Sequence, residues 1–483
     1  MNGNELKTKV FSGLIWTFGE RILAQSVSFI VSIIIARLLV PEAYGTVTMV
    51  TVFINIANVF VSNGLGEALV QKKNADETDF STMFYCSLTL AIIIYTVLFF
   101  GAPFIADFYN NDLLVPVLRV LALKLPVSAI STIQHAYVSK HMIFKKFFFS
   151  TLGGTLISGV VGIVLAYKGF GVWALVFQYL TNTVIDTIVL FFTVPWRPRL
   201  LFSKASFSEL GKYGIQIMLT GLIQEIYTQL RSLIIGKSYS ATDLAYYNKA
   251  NNFPSIIITN VDTSIGKVVF PAMAQSKDSP QHLKEVSRRA MKMTSYIIFP
   301  LMAGMFVVAE PMVRILLTEK WIESVPYLQV ACVSFALIPV QTTNWQIIKA
   351  TGQSDICLKL EIFKKAIGVI CIIASMGYGP MAIAVSAALV SFISMIINIL
   401  PNRKLIGYSI KEQFFDLLPA LFASIVMALV VYLFKHCISN DLVLLLSQIF
   451  GGGIIYILLS VVLKIDSFEY LLDTVKSMIK KRR

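Results

Sequence analysis

The sequence predicts an all-α polytopic membrane protein of about 14 transmembrane helices, built as two pseudo-symmetric six-helix lobes plus a C-terminal helix pair. Three observations predict it. Of the 483 residues, 56% are hydrophobic and only 14% are charged, and the mean hydropathy is +0.73. A soluble domain is nearer ~45–50% apolar and ~25% charged, so water could not cover this chain. Apolar stretches of bilayer-crossing length, about 20 residues each, follow one another along almost the whole sequence. Finally, positive charge alternates from one connection to the next.

The fourteen stretches are 10–38, 43–70, 80–108, 113–139, 147–167, 170–193, 208–236, 246–273, 290–309, 323–348, 358–376, 379–401, 413–435 and 441–463. The first contains Glu20 and Arg21 and has no small-residue cleavage pattern. It reads as a transmembrane helix and not as a removed signal peptide. The connections are short and leave no room for a soluble domain.

The net charge is +14, from 41 Lys and Arg against 27 Asp and Glu. In a soluble protein this would point to nucleic acid. Here it reads as positive cytoplasmic loops, and no nucleic-acid partner is expected. One set of connections carries Lys7/Lys9, Lys72/Lys73, Lys140/Lys145/Lys146, Arg197/Arg199/Lys204 and Lys277/Lys284/Arg288/Arg289. The same set continues with Lys349/Lys359, Arg403/Lys404/Lys411 and the tail from Lys476 to Arg483. The alternate set is short and poor in Lys and Arg. Both termini are therefore expected in the cytoplasm, with an even number of spans in a cell (inner or plasma) membrane.

An internal repeat supports the two lobes. Ile35-Ala36-Arg37 with Tyr44 returns as Ile235-Gly236-Lys237 with Tyr246, and Leu65-Gly66 returns as Ile265-Gly266. Val115-Pro116-Val117-Leu118-Arg119-Val120 returns as Val325-Pro326-Tyr327-Leu328-Gln329-Val330. Order and offset are shared, so the lobes are placed at 1–200 and 201–405, the extra helix pair at 406–464 and a basic tail at 465–483.

Polar residues recur at helical spacing inside the spans. Span 1 has Arg21, Gln25, Ser28 and Ser32, and span 7 has Gln216, Thr220, Gln224, Thr228 and Arg231 with Glu225 beside them. Span 2 has Thr51, Asn55, Asn58 and Ser62; span 8 has Asn248, Asn252, Ser255, Thr259 and Asp262, with Lys267 beyond. Span 4 carries Arg119, Lys124, Ser128, Ser131 and His135, and span 10 carries Gln341, Asn344 and Lys349. Single Ser, Thr and Asn residues serve well as helix–helix glue. Six spans with stripes at matching places fit a hydrated cavity better, because embedded charge is costly and faces protein or water. The candidate cationic residues are Arg21, Arg231, Lys124, Lys267 and Arg119. The candidate polar lining is Gln25, Ser28, Asn55, Asn58, Gln224, Thr228, Asn252 and Gln341, and Glu225 and Asp262 are candidates for ion coupling. Gly154, Ser158 and Gly162 at four-residue spacing predict close helix packing.

The five cysteines are dispersed through apolar segments without metal or disulfide spacing and read as core thiols. The four His show no paired ligand spacing. Gly236-Lys237-Ser238 resembles the end of a phosphate-binding loop, but Arg231 stands where its first Gly would be. No enzyme motif and no cofactor are indicated.

Several motifs resemble a known family, the Wzx-type polysaccharide flippases. They are Gly13-Leu14-Ile15-Trp16, Ile35-Ala36-Arg37-Leu38-Leu39-Val40-Pro41-Glu42-Ala43-Tyr44-Gly45, and Asn63-Gly64-Leu65-Gly66. Further elements are Pro195-Trp196-Arg197-Pro198, Gly211-Lys212-Tyr213-Gly214, Asp243–Ala250 and Glu310–Leu317 followed by Lys320-Trp321. Thr318 stands where the family pattern has Gly. The likeness covers the chain and is nearest the colanic-acid and teichuronic-acid exporter branch. It implies the fold of the multidrug/oligosaccharidyl-lipid/polysaccharide exporter superfamily, two lobes facing each other. It also implies flipping of undecaprenyl-diphosphate-linked oligosaccharide from the cytoplasmic to the outer leaflet by alternating access. Membrane lipids and the polymerase of the same glycan pathway are the implied partners. Two other readings stay open: a cation-coupled multidrug exporter of the same fold, which would want an acidic cavity, and a membrane-embedded polysaccharide polymerase, which would want a large outer loop.

Overall fold

The computed structural model describes residues 3–482, with side chains from residue 19 onward except at 20, 264, 267, 268, 474, 475 and 477–482. Every regular element among these residues is helical. Contacts divide the chain into two compact units, Met1–Ala245 and Tyr246–Arg483.

The first unit holds α1 (Gly3–Leu38), α2 (Pro41–Ser62), α3 (Leu65–Gln71), α4 (Glu77–Tyr109), α5 (Leu114–Leu121), α6 (Lys124–His141), α7 (Lys145–Tyr167), α8 (Val172–Thr193) and α9 (Lys204–Ser238). Local chemistry sets the boundaries. Pro41 opens α2, where its missing N–H costs nothing. Asp76 and Asp79 form a capping box that starts α4, and the Ser203 hydroxyl caps α9. Gly64 breaks the second segment between α2 and α3. Its φ is +96°, and a Cβ there would lie 2.2 Å from the carbonyl oxygen of Gly214 on α9, so only glycine fits. The small-residue face of α7 packs closely, as its spacing predicts. A Cβ at Gly159 would meet Val31 of α1 at 2.5 Å, and one at Gly162 would meet Ile35 at 2.9 Å. Phe80, Met83, Phe84, Leu69, Ile133 and Trp196 close a core at one end of the unit. Charged pairs ring that core: Lys72 to Asp79 and Glu209, both 3.0 Å, and Arg199 to Glu77 at 2.6 Å.

The second unit holds most of α10 (Ala241–Ser264), a π-helical turn (Ile265–Val269), α11 (Phe270–Gln275) and α12 (Pro280–Leu317). A 3-10 turn (Glu319–Ser324) leads to α13 (Val325–Ala336), α14 (Ile338–Ala350), α15 (Ser354–Ser375) and α16 (Pro380–Ile406). Last come α17 (Ile410–Leu433), α18 (Asp441–Val462) and α19 (Asp466–Arg482). The breaks repeat those of the first unit. The α2/α3 interruption corresponds to the π turn between α10 and α11, and the α5/α6 break corresponds to α13/α14. The sequence pair Gly66/Gly266 falls at the first of these interruptions, and Val115/Val325 lies in the first turn of α5 and of α13, ahead of the second. The C-terminal pair α17 and α18 packs on α12, with polar bonds through the core: Tyr296 Oη donates to Ser460 Oγ (2.9 Å) and Tyr456 Oη to the Tyr296 carbonyl (2.8 Å).

Two expectations differ from the structure. Fourteen spans were expected, whereas eleven helical stretches among the described residues are long and apolar enough to cross a membrane. The other three expected spans form α9, α10 with α11, and α15, whose polar residues lower their hydropathy. The cysteines are free, but only Cys332 is buried; Cys437 is exposed on the connection after α17 and the other three are half-buried. The lobe boundary read from the repeat lies at 200/201 and the contact boundary at 245/246. The difference is α9, which packs on α2, α3 and α4.

Candidate functional site: polar and cationic groups within the helices

In the first unit the candidate cations separate by their surroundings. Arg119 on α5 is engaged: its Nε donates to the Phe99 carbonyl at 3.1 Å, and its guanidinium lies 4.5 Å from the centre of the Phe99 ring. That contact braces α5 against α4. Arg21 and Gln25, half-buried on α1, also have partners. Lys124 at the start of α6 is half-buried and has no hydrogen-bond or ion-pair partner among the described residues. Arg231 on α9 is half-buried, and its Nε is buried with no hydrogen-bond partner. A buried unsatisfied donor costs about 1–3 kcal/mol, so the Arg231 side chain is held at a cost that folding does not recover.

The stripe on α9 stays open along its length. Gln216, Thr220, Gln224 and Thr228 are all exposed, and the hydroxyls of Thr220 and Thr228 bond only to carbonyls of their own helix. Glu225 accepts from Gln229 Nε2 at 2.7 Å. Ser28 and Asn55 are exposed. The Asn58 amide donates to Ser62 Oγ at 3.2 Å, while its Oδ1 is buried without a partner.

In the second unit Asn252 is exposed. Asp262 on α10 accepts from Thr342 Oγ1 on α14 at 2.8 Å, and Gln341 Nε2 donates to Ser391 Oγ at 2.9 Å. Gln341 is thus helix–helix glue. So is Asn344, which joins Asn402 and Gln413 in a buried amide network. Lys267 falls on the π turn, and its side chain lies outside the described residues.

Two polar clusters were not foreseen. His135 Nε2 and Asp186 Oδ2 lie 3.1 Å apart between α6 and α8, with Phe147 against the imidazole at 4.9 Å. Asn182, one turn before Asp186, is the sequence signal that would have found it. On α15, Lys364 pairs with Glu361 at 2.6 Å and lies 4.6 Å from the centre of Trp345 on α14, and Lys349 lies 5.8 Å from the same ring.

At the charged helix ends, Glu209 and Asp79 hold the Lys72 ammonium above its ordinary pKa. Burial, with the bond to Asp416, raises the Tyr408 phenol. A separate groove of about 650 Å³ in the second unit is walled by apolar side chains of α12, α13, α14, α16 and α17, among them Phe299, Phe306, Phe392 and Phe414. Such a lining suits hydrocarbon, not sugar.

Fold and site together define a multi-pass, all-helical membrane protein that keeps cations and amides inside its helices. Residues 34–326, more than half of the chain, match the family described as "Polysaccharide biosynthesis protein", and the chain belongs to that family. It is 25% identical over 400 residues to the lipopolysaccharide biosynthesis protein WzxC of Escherichia coli (strain K12), covering 81% of this chain and 80% of that one. It is 23% identical over 478 residues to the succinoglycan biosynthesis transport protein ExoT of Rhizobium meliloti (strain 1021), covering 96% and 94%. To the teichuronic acid biosynthesis protein TuaB of Bacillus subtilis (strain 168) it is 24% identical over 362 residues, covering 74% and 73%. The fold is similar to that of the lipid II flippase MurJ in an inward closed conformation, with a TM-score of 0.77 at 16% identity, covering 94% of this chain and 98% of that one. An inward-facing multidrug resistance transporter of the MATE family matches with a TM-score of 0.61 at 16% identity, covering 80% and 98%.

Proposed function

We propose that this protein is a flippase that carries undecaprenyl-diphosphate-linked oligosaccharide from the cytoplasmic to the outer leaflet of the cell membrane by alternating access, and is not an enzyme. The observation that carries the reading is that Lys124 and Arg231, in a chain of the polysaccharide biosynthesis family, sit inside membrane helices without a counter-charge of their own. A diphosphate supplies that counter-charge through charge-assisted hydrogen bonds, and release on the far side restores the unpaired state. Arg21 and Lys267 belong to the same cationic set in this reading. Gln224, Thr228, Asn55 and Asn252 offer exposed polar groups to sugar hydroxyls, while the polyprenyl chain stays in lipid. Glu225 and Asp262 are proposed for ion coupling. Both termini are placed in the cytoplasm, and the polymerase of the same glycan pathway is the proposed downstream partner.

A multidrug exporter of the same fold would gain from acidic groups facing its substrate; unpaired Lys124 and Arg231 would repel a cationic drug. The test is the double variant Arg21→Ala with Arg231→Ala. Glycan export is expected to vanish while the variant accumulates in the membrane at wild-type abundance. Wild-type export from that variant would remove these cations from the mechanism.

A further inference from the structure

We propose that the corner between α12 and α19 binds the headgroup of one anionic glycerophospholipid in the cytoplasmic leaflet. A cavity of about 260 Å³ opens there, with Arg288, Arg289, Lys292, Asp466, Ser467 and Tyr470 in its lining. Two of its three cations are already balanced. The Arg288 guanidinium makes two 2.7 Å bonds to the Asp416 carboxylate, which also accepts from Tyr408 Oη at 2.7 Å. Lys292 lies 3.4 Å from Asp416 and 2.9 Å from Asp466.

Arg289 is different. Its guanidinium lies 5.1 Å from the centre of the Tyr470 ring, and it has no ion-pair or hydrogen-bond partner among the described residues. Three cations against two carboxylates leave one positive charge, on a planar fork that suits a phosphate oxygen pair. Ser467 adds a hydroxyl to the same lining.

The occupant follows from charge and from what borders the cavity. A phosphodiester carries one negative charge and matches the one unbalanced cation. A diphosphate carries at least two and would be left half-neutralised, which argues against the lipid-linked substrate and for a bulk phospholipid. The adjoining cavity includes Phe415 and Leu463, both exposed, as is Leu472 of α19; these are places for acyl chain. α19 is amphipathic: Phe468 and Leu471 pack on the core of this unit, while Lys476 is exposed and Lys480, Lys481, Arg482 and Arg483 follow in the sequence. A helix of that pattern lies along a membrane surface and is drawn to anionic lipid. The inference depends on the orientation given by loop charge, not on the transport reading.

Thermal unfolding of the purified full-length protein in detergent tests it, with phosphatidylglycerol, phosphatidylcholine or inorganic phosphate added. Phosphatidylglycerol is expected to raise the wild-type Tm where the other two do not. Arg289→Ala is expected to weaken that response about tenfold in lipid concentration, with an unchanged Tm before lipid is added, and Arg289→Lys to retain part of it. Equal responses from wild type and Arg289→Ala would overturn the site. Stabilisation by inorganic phosphate would reduce it to a simple anion site, and displacement of phosphatidylglycerol by an undecaprenyl diphosphate would overturn the assignment to bulk phospholipid. Should Arg289→Ala unfold early, native mass spectrometry of Arg289→Gln decides by whether phosphatidylglycerol stays bound.

Discussion

Arg231 and Arg314 are both arginines on membrane helices, and their neighbours separate binding from bracing. Arg314 on α12 lies 3.3 Å from Glu310 and 3.4 Å from Asp441, and Lys435 reaches Glu310 at 2.7 Å. Arg314 also reaches Glu319 at 2.6 Å, whereas Arg231 has no ion-pair partner among the described residues and its Nε is buried without a hydrogen bond. Replacing Arg231 with Leu removes an unsatisfied group, so it should leave Tm unchanged or higher while export falls at least about tenfold. Arg314→Ala should do the reverse, lowering stability by about 1 kcal/mol, since the network is partly exposed, and leaving export per folded molecule intact. Tm and export measured on both variants check this; a Tm loss in Arg231→Leu equal to that of Arg314→Ala would make Arg231 structural. The sequence shows each arginine's depth and stripe, but not its partner. Helical spacing places Arg119 and Arg231 on polar faces alike, yet Phe99, twenty residues away on another helix, decides that Arg119 is a brace.

At the scale of the element, the two halves share their breaks, and glycine chemistry accounts for one of them. Gly64 has φ +96°, and a Cβ there would lie 2.2 Å from the Gly214 carbonyl oxygen of α9. Gly64→Ala adds backbone strain and a clash with the Gly214 carbonyl, so little folded protein should reach the membrane, by quantitative immunoblot. Thr318 presents the opposite case. It holds φ +81° at the end of α12, a conformation that favours glycine, and it stands where the family pattern has Gly. Thr318→Gly should relieve about 1 kcal/mol of strain and raise Tm; a lower Tm would show that the Thr318 side chain contributes more than its backbone costs. The first break was legible because Gly66/Gly266 mark it in sequence; Val115/Val325 mark only the starts of α5 and α13, the helices that lead into the second. α9 and α15 were less legible. Both were expected as spans, but what seats them comes only from their neighbours: Gly214 of α9 against Gly64, and Lys364 of α15 over Trp345. His135 and Asp186 likewise meet only through the packing of α6 on α8.

For the whole molecule, composition and loop charge go furthest, since insertion responds to the sum over many residues and not to any one contact. That sum predicts the side of each connection. The connection after α17 holds few cations and carries Cys437, which is exposed; loop charge places it outside. The tail beyond α18 is basic, with Lys476 exposed, and loop charge places it inside. A membrane-impermeant maleimide should therefore label Cys437 in intact cells, and Cys437→Ser should abolish that label, because Cys332 is buried and Cys86, Cys357 and Cys371 are half-buried within helices. In the Cys437→Ser background, Lys476→Cys should react only after the membrane is opened. The reverse pattern would invert the protein in the membrane. It would then place the Lys- and Arg-rich connections on the outer face, against the charge bias that orients membrane helices, and would reverse the proposed direction of transport. Labelling of both positions from the same side would mean that α18 does not cross the membrane, because a single crossing between them puts Cys437 and Lys476 on opposite sides.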